Sequence, residues 1–477
     1  MGLRRKIFMG FIWNALEQFG SRLVHFVVAI ILARLLGPEE FGTIALLSIF
    51  MFYASLLVDS GFSKALVQEK DILDVDYDSI FYVNFLTGLI IYGILFVAAP
   101  CIAGFYGKPI LVPVLRWSAL GIVLNALNVV QTAVLSREMR FNCSFWISAV
   151  SSIVSGAVGI GMAYSGYGIW SLVASGLSGS IAATIVMWIV VGWRPHLAFS
   201  IQRVRKLFSF GSKLLVSWAI GSAVTQSYGP IIGKCYSAAD LAFFNRGESL
   251  PTTVMGSVEA VISRVMFPAL SSVQSDKERL VALTRRMMSF NTMLIFPSMI
   301  GLASLAEPAI RFLLTEKWIA AVPFLQLACA FYACRPINVA NVQVIQACGE
   351  GNLYFRLEMV KTAIDLLVLL VSLKFGIIAI AVGRVVSTVL AVLINMKPCS
   401  RIIGYTYRMQ FKDLLPYVVA ACLMGTTLWL LASNLALASL SLLLILIPFG
   451  VLLYTALLWM MKADAFIYAI NLVRRRA

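Results

Sequence analysis

Charge, histidine and long polar loops are what this sequence has least of. Only 13% of its 477 residues are Asp, Glu, Lys or Arg, roughly half the ~25% usual in soluble domains. Together with a mean hydropathy of +0.90, this excludes an ordinary soluble fold. Two histidines, and eight cysteines (Cys101, Cys143, Cys235, Cys329, Cys334, Cys348, Cys399 and Cys422) without a CxxC pair, leave no ligand set for a metal centre, so neither metal nor cofactor is expected. The cysteines read as small apolar residues. Walker A motifs, Gly-rich nucleotide loops, serine-nucleophile patterns and paired loop carboxylates are all missing, which argues against ATP-driven transport by this chain alone and against an enzyme. No connecting segment exceeds about twenty residues, so a membrane-embedded glycan polymerase or ligase, which needs a large catalytic outer loop, has nowhere to place one.

What the sequence has in excess is apolar length. Hydrophobic residues make up 60% of the chain, in fourteen stretches long enough to cross a hydrocarbon layer of about 30 Å. The expected spans are 9–34, 41–63, 79–104, 111–134, 146–164, 169–192, 210–231, 250–270, 288–306, 320–346, 354–373, 376–396, 414–432 and 438–460. The first is too long and too polar for a signal-peptide core and reads as an uncleaved helix. Lys6 stands where a myristoylation signal wants Ser or Thr, so no lipid anchor is expected.

The net charge of +16 is explained by placement rather than by nucleic acid. With the amino terminus inside, cytoplasmic segments hold 25 of the 38 cations and outer segments 7, as the positive-inside rule requires. Both termini are therefore expected in the cytoplasm. Arg203-Val204-Arg205-Lys206, the run from Lys277 to Arg286 and the tail Arg474-Arg475-Arg476 read as orientation signals and anionic-lipid contacts.

The first span carries Asn14, Glu17, Gln18, Ser21, Arg22 and His25 within roughly 140° of a helical wheel, opposite Leu16, Phe19, Leu23, Phe26 and Val27. A charge in the hydrocarbon core costs at least ~2.5 kcal/mol, so such a stripe is expected to face protein or a water-filled cavity. The spans also enclose Arg116, Lys213, Arg264, Arg335 and Arg384 against acidic Asp59, Glu259 and Asp365. An interior leaning positive attracts anions, and arginine suits phosphate oxygens. Arg22 and Arg264, deep in their spans, are the leading cavity residues, with Asn14, Gln18, Arg335 and Arg116 as further candidates. Snorkelling to the interface is the favoured reading for Lys213, Arg116 and Arg384, near span ends. Glu17, Asp59 and His25 are the candidates for ion coupling or gating. For Asp59, capping of local backbone is an equal alternative, and for His25 a hydrogen-bonded neutral imidazole is the favoured one.

The chain also repeats itself. Lys6-Ile7-Phe8 recurs as Lys206-Leu207-Phe208, and Ala65-Leu66-Val67-Gln68 as Ala269-Leu270 with Val273-Gln274. Pro100, Ile102, Phe105, Lys108 and Pro113 answer to Pro308, Ile310, Leu314, Lys317 and Pro323, and Tyr167-Gly168-Ile169 to Phe375-Gly376-Ile377. The offset drifts only from 200 to 210. An even number of spans per unit relates the copies by an axis along the membrane normal. The expected fold is thus an all-α polytopic membrane protein with two parallel six-helix lobes, residues 1–200 and 201–400. Residues 401–477 add two further helices and a basic tail. Such lobes suit alternating access around a midplane site.

The stretches Leu35-Leu36-Gly37-Pro38-Glu39-Glu40-Phe41-Gly42 and Asp59-Ser60-Gly61-Phe62-Ser63-Lys64-Ala65-Leu66-Val67-Gln68 resemble polysaccharide-export flippases of the O-antigen and exopolysaccharide type. So do Ala99-Pro100, Phe105-Tyr106-Gly107, Pro113-Val114-Leu115-Arg116, Val265-Met266-Phe267-Pro268-Ala269-Leu270-Ser271 and Glu307-Pro308 with the stretch from Trp318 to Pro323. The resemblance spans about residues 1–400. It implies the multidrug/oligosaccharidyl-lipid/polysaccharide exporter superfamily and rocking between inward and outward states. The implied substrate is an undecaprenyl-pyrophosphate-linked oligosaccharide crossing the bacterial inner membrane, with a polysaccharide polymerase and chain-length machinery as partners. Its pyrophosphate would sit on Arg22 and Arg264. The alternative within the superfamily, a drug or organic-cation antiporter, wants a negatively lined cavity. Where members often carry Asp at the end of span 7, this chain has Ser227-Tyr228-Gly229-Pro230, and no charged site carries over there.

Overall fold

The computed structural model describes residues 20, 23–273, 276–435 and 437–474, without the side chains of 141, 214, 257–265, 267–269, 469, 470 and 472–474. These residues form helices and connecting turns, with no strand among them. The first part of the chain contains α1 (Leu23–Leu35), α2 (Pro38–Leu46), α3 (Ser48–Asp59), α4 (Phe62–Gln68), α5 (Asp74–Tyr106), α6 (Leu111–Ser118), α7 (Leu120–Arg137), α8 (Phe141–Tyr164), α9 (Ile169–Val190) and α10 (Ile201–Cys235). The second part contains α11 (Ala238–Ser272), α12 (Lys277–Ser304), α13 (Ala306–Leu314), a 3-10 segment Glu316–Ala321, α14 (Val322–Ala333), α15 (Arg335–Ala347) and α16 (Gly351–Ser372). It continues with α17 (Ile377–Ile403), α18 (Tyr407–Asn434), α19 (Ser439–Met460) and α20 (Asp464–Arg474).

Eleven helical stretches among the described residues are long and apolar enough to span a bilayer. The other three expected passes coincide with α1, α11 and α16, and α16 carries Arg356, Glu358, Lys361 and Asp365. Two passes are interrupted helices, α2–α3–α4 and α6–α7, and a third joins the 3-10 segment to α14 and α15. The chain forms two compact units, Met1–Ala242 and Phe243–Ala477. The compact division thus falls one helix later than the sequence repeat, because α10 packs on α2, α3, α4 and α5.

Local chemistry sets the breaks. Pro38 opens α2, and Glu40 reaches back to accept from the Gly37 amide at 3.0 Å, satisfying a donor that helix starts leave open. The second pass breaks at Ser60 and Gly61, both left-handed (φ 46° and 74°). Here the Gly61 and Gly211 backbones touch: a Cβ on Gly61 would collide with the Gly211 carbonyl oxygen. The α8–α9 pair closes on small residues, with the Ser155 and Ser175 hydroxyls 2.9 Å apart and Ser151 donating to the Gly179 carbonyl at 2.8 Å. In a membrane, where lipid competes for apolar surface, such close packing is the main source of helix association.

The connector between α9 and α10 is pinned to unit 1. Buried Asp78 accepts from the His196 amide at 3.0 Å, Ser79 accepts from the Ser200 amide at 2.9 Å, and buried Asp76 pairs with Arg203. In unit 2 the two helices outside the repeat belong to the core. Tyr417, Ala420, Met424 and Leu428 of α18 pack against Met293, Phe296 and Met299 of α12, and Tyr454 of α19 donates to the Met293 carbonyl at 3.1 Å. The corresponding helix of unit 1, α5, shows Leu86, Ile90, Ile94 and Val97 at its surface, the face a bilayer covers.

Candidate functional site

Ser237 and Asp240 form a reciprocal cap at the start of α11: Ser237 Oγ accepts from the Asp240 amide at 3.0 Å, and Asp240 accepts from the Ser237 amide at 3.2 Å. The helix therefore begins a dozen residues before the apolar run that predicts it. Glu248 consequently lies ten residues, about 15 Å, along the helix, inside the apolar layer rather than in a loop. Arg384 lies seven residues, roughly 10 Å, into α17, and Tyr332 near the end of α14.

These three side chains meet. Arg384 donates from both Nη atoms to the Glu248 carboxylate, at 2.9 and 2.8 Å, and Tyr332 donates its hydroxyl to Glu248 Oε1 at 2.9 Å. Thr252, one turn on, donates its hydroxyl proton to the Glu248 carbonyl at 2.7 Å and has its oxygen 3.0 Å from that of Tyr332. The guanidinium also lies 4.6 Å from the ring centre of Phe331 and 5.3 Å from that of Phe244. Side-chain exposure is 13% for Arg384 and 23% for Glu248, so the pair sits at the edge of the bundle. Beside it a small hollow of about 10 Å³ is lined by Phe244, Phe324, Phe331 and Ala381. Asn245, Thr252 and Thr253 stand exposed on the same helix. The Thr252 and Thr253 hydroxyls give their protons to carbonyls one turn back, so the exposed Asn245 amide is the group on this helix that calls for water or a polar ligand.

Arg384 therefore does not snorkel as expected; it is ion-paired. Glu248 escaped the sequence reading because the predicted span began at 250, and the Ser237–Asp240 cap was the signal that would have placed it. Deep charge also recurs on α16, where Lys361 pairs with Glu358 and Asp365 follows one turn later.

Of the residues expected to matter, Asn14, Glu17, Gln18 and Arg22 lie outside the described residues, as do the side chains of Glu259 and Arg264. The exposed His25 has Nε2 3.0 Å from Ser152 Oγ. Since Ser152 gives its own proton to the Ser148 carbonyl at 2.7 Å, the ring nitrogen is the donor. Asp59 accepts from the Ser63 amide at 3.3 Å and from the Ser63 hydroxyl, the local capping geometry. Arg116 donates Nε to the Phe96 carbonyl at 3.3 Å, with its guanidinium 4.0 Å from the Phe96 ring centre. That carbonyl is one turn before Pro100, whose missing N–H leaves it open. Arg335 opens α15 beside Pro336, and Lys213 is exposed. His25, Asp59 and Arg116 thus each keep to their own local contacts. Among the described residues no cluster of His, Cys, Asp and Glu suits a metal.

The fold is that of known transporters. A lipid II flippase MurJ structure in an inward closed conformation matches with a TM-score of 0.78 at 17% identity, over 95% of this chain and 99% of that one. An inward-facing multidrug resistance MATE family transporter of the MOP superfamily matches with a TM-score of 0.60 at 13% identity, over 82% and 98%. Among curated proteins, the lipopolysaccharide biosynthesis protein WzxC of Escherichia coli (strain K12) is 22% identical, over 88% of this chain and 86% of its own length. The succinoglycan biosynthesis transport protein ExoT of Rhizobium meliloti (strain 1021) is 28% identical, over 72% and 69%. The teichuronic acid biosynthesis protein TuaB of Bacillus subtilis (strain 168) is 24% identical, over 74% of each. The model of the polysaccharide biosynthesis protein family matches residues 31–323, and this multi-pass membrane protein belongs to that family.

Proposed function

We propose that this protein carries a polyprenyl-pyrophosphate-linked oligosaccharide, a repeat unit of a surface polysaccharide, across the bacterial inner membrane by alternating access. The observation that carries this reading is the paired, hydrogen-bonded charge of Arg384, Glu248 and Tyr332 at membrane depth, beside exposed hydroxyls and an exposed amide on α11. A scaffold has no reason to bear that insertion cost, whereas a carrier of a polar headgroup does. The relatives named for lipopolysaccharide, succinoglycan and teichuronic acid biosynthesis, and the fold shared with a lipid II flippase, point to a lipid-linked glycan as cargo.

In this reading the repeated halves, 1–200 and 201–400, rock between inward and outward states, and both termini are cytoplasmic. Arg22 and Arg264 take the pyrophosphate, Asn14 and Gln18 contact sugar, and the polyprenyl tail stays in the bilayer. Glu17, Asp59 and His25 are the candidates for coupling to an ion gradient. The protein works as a carrier and not as an enzyme, delivering its cargo to a polymerase with chain-length machinery. The test is reconstitution into vesicles with a defined lipid-linked oligosaccharide, reading leaflet exposure by accessibility to a glycan-modifying reagent. Protein-dependent exposure is expected, and Arg22→Ala and Arg264→Ala should each abolish it while the protein stays in the membrane. Exposure equal to that of protein-free vesicles, with uptake of an organic cation instead, would overturn the proposal.

A further inference from the structure

Each half of the chain has a concavity of about 400 Å³ at the same place in the repeat. In unit 1 its walls include Tyr92 and Phe96 of α5, Arg116 and Trp117 of α6, and Leu120. In unit 2 they include Ile300 and Ser304 of α12, Gln326 of α14, and Ala330. The registers agree: Tyr92 and Phe96 precede Pro100 by the spacings at which Ile300 and Ser304 precede Pro308. Arg116 follows Pro113 as Gln326 follows Pro323.

Arg116 and Gln326 each reach back to the preceding helix. Arg116 Nε donates to the Phe96 carbonyl, and Gln326 Nε2 donates to the Ala303 carbonyl, one register position earlier, each at 3.3 Å. An amide suffices for a bond of this kind. The charge at Arg116 is an addition, and among the described residues no carboxylate forms an ion pair with it.

Both concavities are open, with Trp429 of one 56% exposed, and they differ in the helices that line them. In unit 2 the outer wall is α18, through Cys422, Gly425, Thr426 and Trp429. Among the described residues, no further helix of unit 1 lines the concavity there. Its lining comes from α5, α6 and the start of α7, with Trp117 54% exposed. Arg116 sits five residues, about 7 to 8 Å, into α6 from the loop holding Lys108, a depth from which its guanidinium reaches the headgroup layer. Trp117 suits the same layer.

We propose that the unit 1 concavity is a phospholipid site: an acyl chain fills the space that α18 walls in the other half, and the lipid phosphate is held by Arg116 Nη atoms. Guanidinium and phosphate diester are complementary in charge and geometry, and the charge at Arg116, where unit 2 has the neutral Gln326, singles out the unit 1 concavity for an anionic headgroup.

The experiment is native mass spectrometry of the full-length protein, delipidated in detergent and titrated with dioleoyl phosphatidylglycerol or, as the phosphate-free control, dioleoylglycerol. The wild type should retain one phosphatidylglycerol in preference to dioleoylglycerol. Arg116→Gln, which installs the unit 2 side chain and keeps an amide donor without the charge, should lower that retention by roughly tenfold, the effect of losing one charge-assisted contact. Arg116→Lys should preserve most of it. Leu120→Trp, which fills the concavity without touching the charge, should remove the adduct as well and serves where Arg116→Gln fails to fold. Equal retention by wild type and either Arg116→Gln or Leu120→Trp would overturn the proposal. So would displacement of phosphatidylglycerol by equimolar undecaprenyl diphosphate from the wild type but not from Arg116→Gln, since the arginine would then belong to a substrate path.

Discussion

Arg384→Gln leaves the Glu248 carboxylate three-quarters buried with only the Tyr332 hydroxyl to hold it, and Glu248→Gln leaves the guanidinium over two phenyl rings without its counter-ion. Breaking a buried pair from one side costs about 3–5 kcal/mol, while replacing both partners with well-packed apolar groups costs far less. Each single change should therefore lower the thermal unfolding midpoint in detergent clearly, and Glu248→Leu with Arg384→Leu together should lower it less than the singles combined. Additive losses would mean that the two side chains act independently. Tyr332→Phe should cost about 1 kcal/mol, the net worth of one hydrogen bond. Residue chemistry of this kind was only partly legible in the sequence. That Arg384 lies in a span could be read from its flanks, but its partner comes from a helix more than a hundred residues earlier, and neither periodicity nor charge counting pairs distant helices. The cations read as orientation signals carry structural bonds too: Arg137 donates to the Leu66 carbonyl at 3.0 Å and to the Lys70 carbonyl at 3.2 Å, closing the carboxyl end of α4.

Among elements, the broken second pass is the most constrained. At Gly61 a side chain meets both a left-handed backbone (φ 74°) and the Gly211 backbone, so Gly61→Ala should destabilise by about 1–3 kcal/mol or more, since such conformations are costly for any residue with a Cβ. Gly104→Ala, in α5 with nothing within 4 Å of the added Cβ, is the control and should leave the unfolding midpoint within a degree or two. The Asp59-Ser60-Gly61-Phe62 motif was recognisable in the sequence; its reason, a turn held against α10, was not, because it depends on which helix packs there. The same holds for α18. Read from the repeat, spans 13 and 14 are additions, yet Gln410 and Asn341, both fully buried, exchange hydrogen bonds at 3.0 and 3.1 Å. Gln410→Ala leaves Asn341 Oδ1 without its donor, while Nδ2 keeps the Ile337 carbonyl at 2.9 Å, and should cost about 1–3 kcal/mol, measurable by the same thermal assay. The contact between the end of α4 and the start of α10 should weaken in acid. Lys206, hydrogen-bonded to Glu69 with Nζ 3.1 Å from Oε2, holds that carboxyl below its usual range. A depressed carboxyl stabilises above its unfolded value of about 4.3 and loses the contribution as pH falls through the folded value. Lys206→Gln should remove the Glu69 part of that dependence, seen as lower amide protection at the start of α10, relative to the intrinsic exchange rate at each pH, that falls no further below pH 4.3.

At the scale of the whole molecule, the repeat and the distribution of cations were legible because both are averages over many residues, insensitive to any single contact. The compact division at Ala242 was not, since it depends on where α10 packs rather than on where the repeat begins. The cation count makes the strongest whole-chain prediction. Positive charge near span ends fixes orientation during insertion, and the excess here, 25 cations against 7, is distributed over nearly every inner connection, so no single loop decides it. A fluorescent protein fused after Ala477 should fold and emit, while alkaline phosphatase at the same place should be inactive. Alkaline phosphatase fused after Lys108 or Lys374, each followed by a span in the intact chain, should be active because both loops face the periplasm. Replacing Arg203, Arg205 and Lys206 together with Gln should leave this pattern unchanged, since the inner segments before and after them keep their charge. An active phosphatase at Ala477, or an inactive one at both Lys108 and Lys374, would reverse the orientation and with it the direction in which a headgroup must be carried.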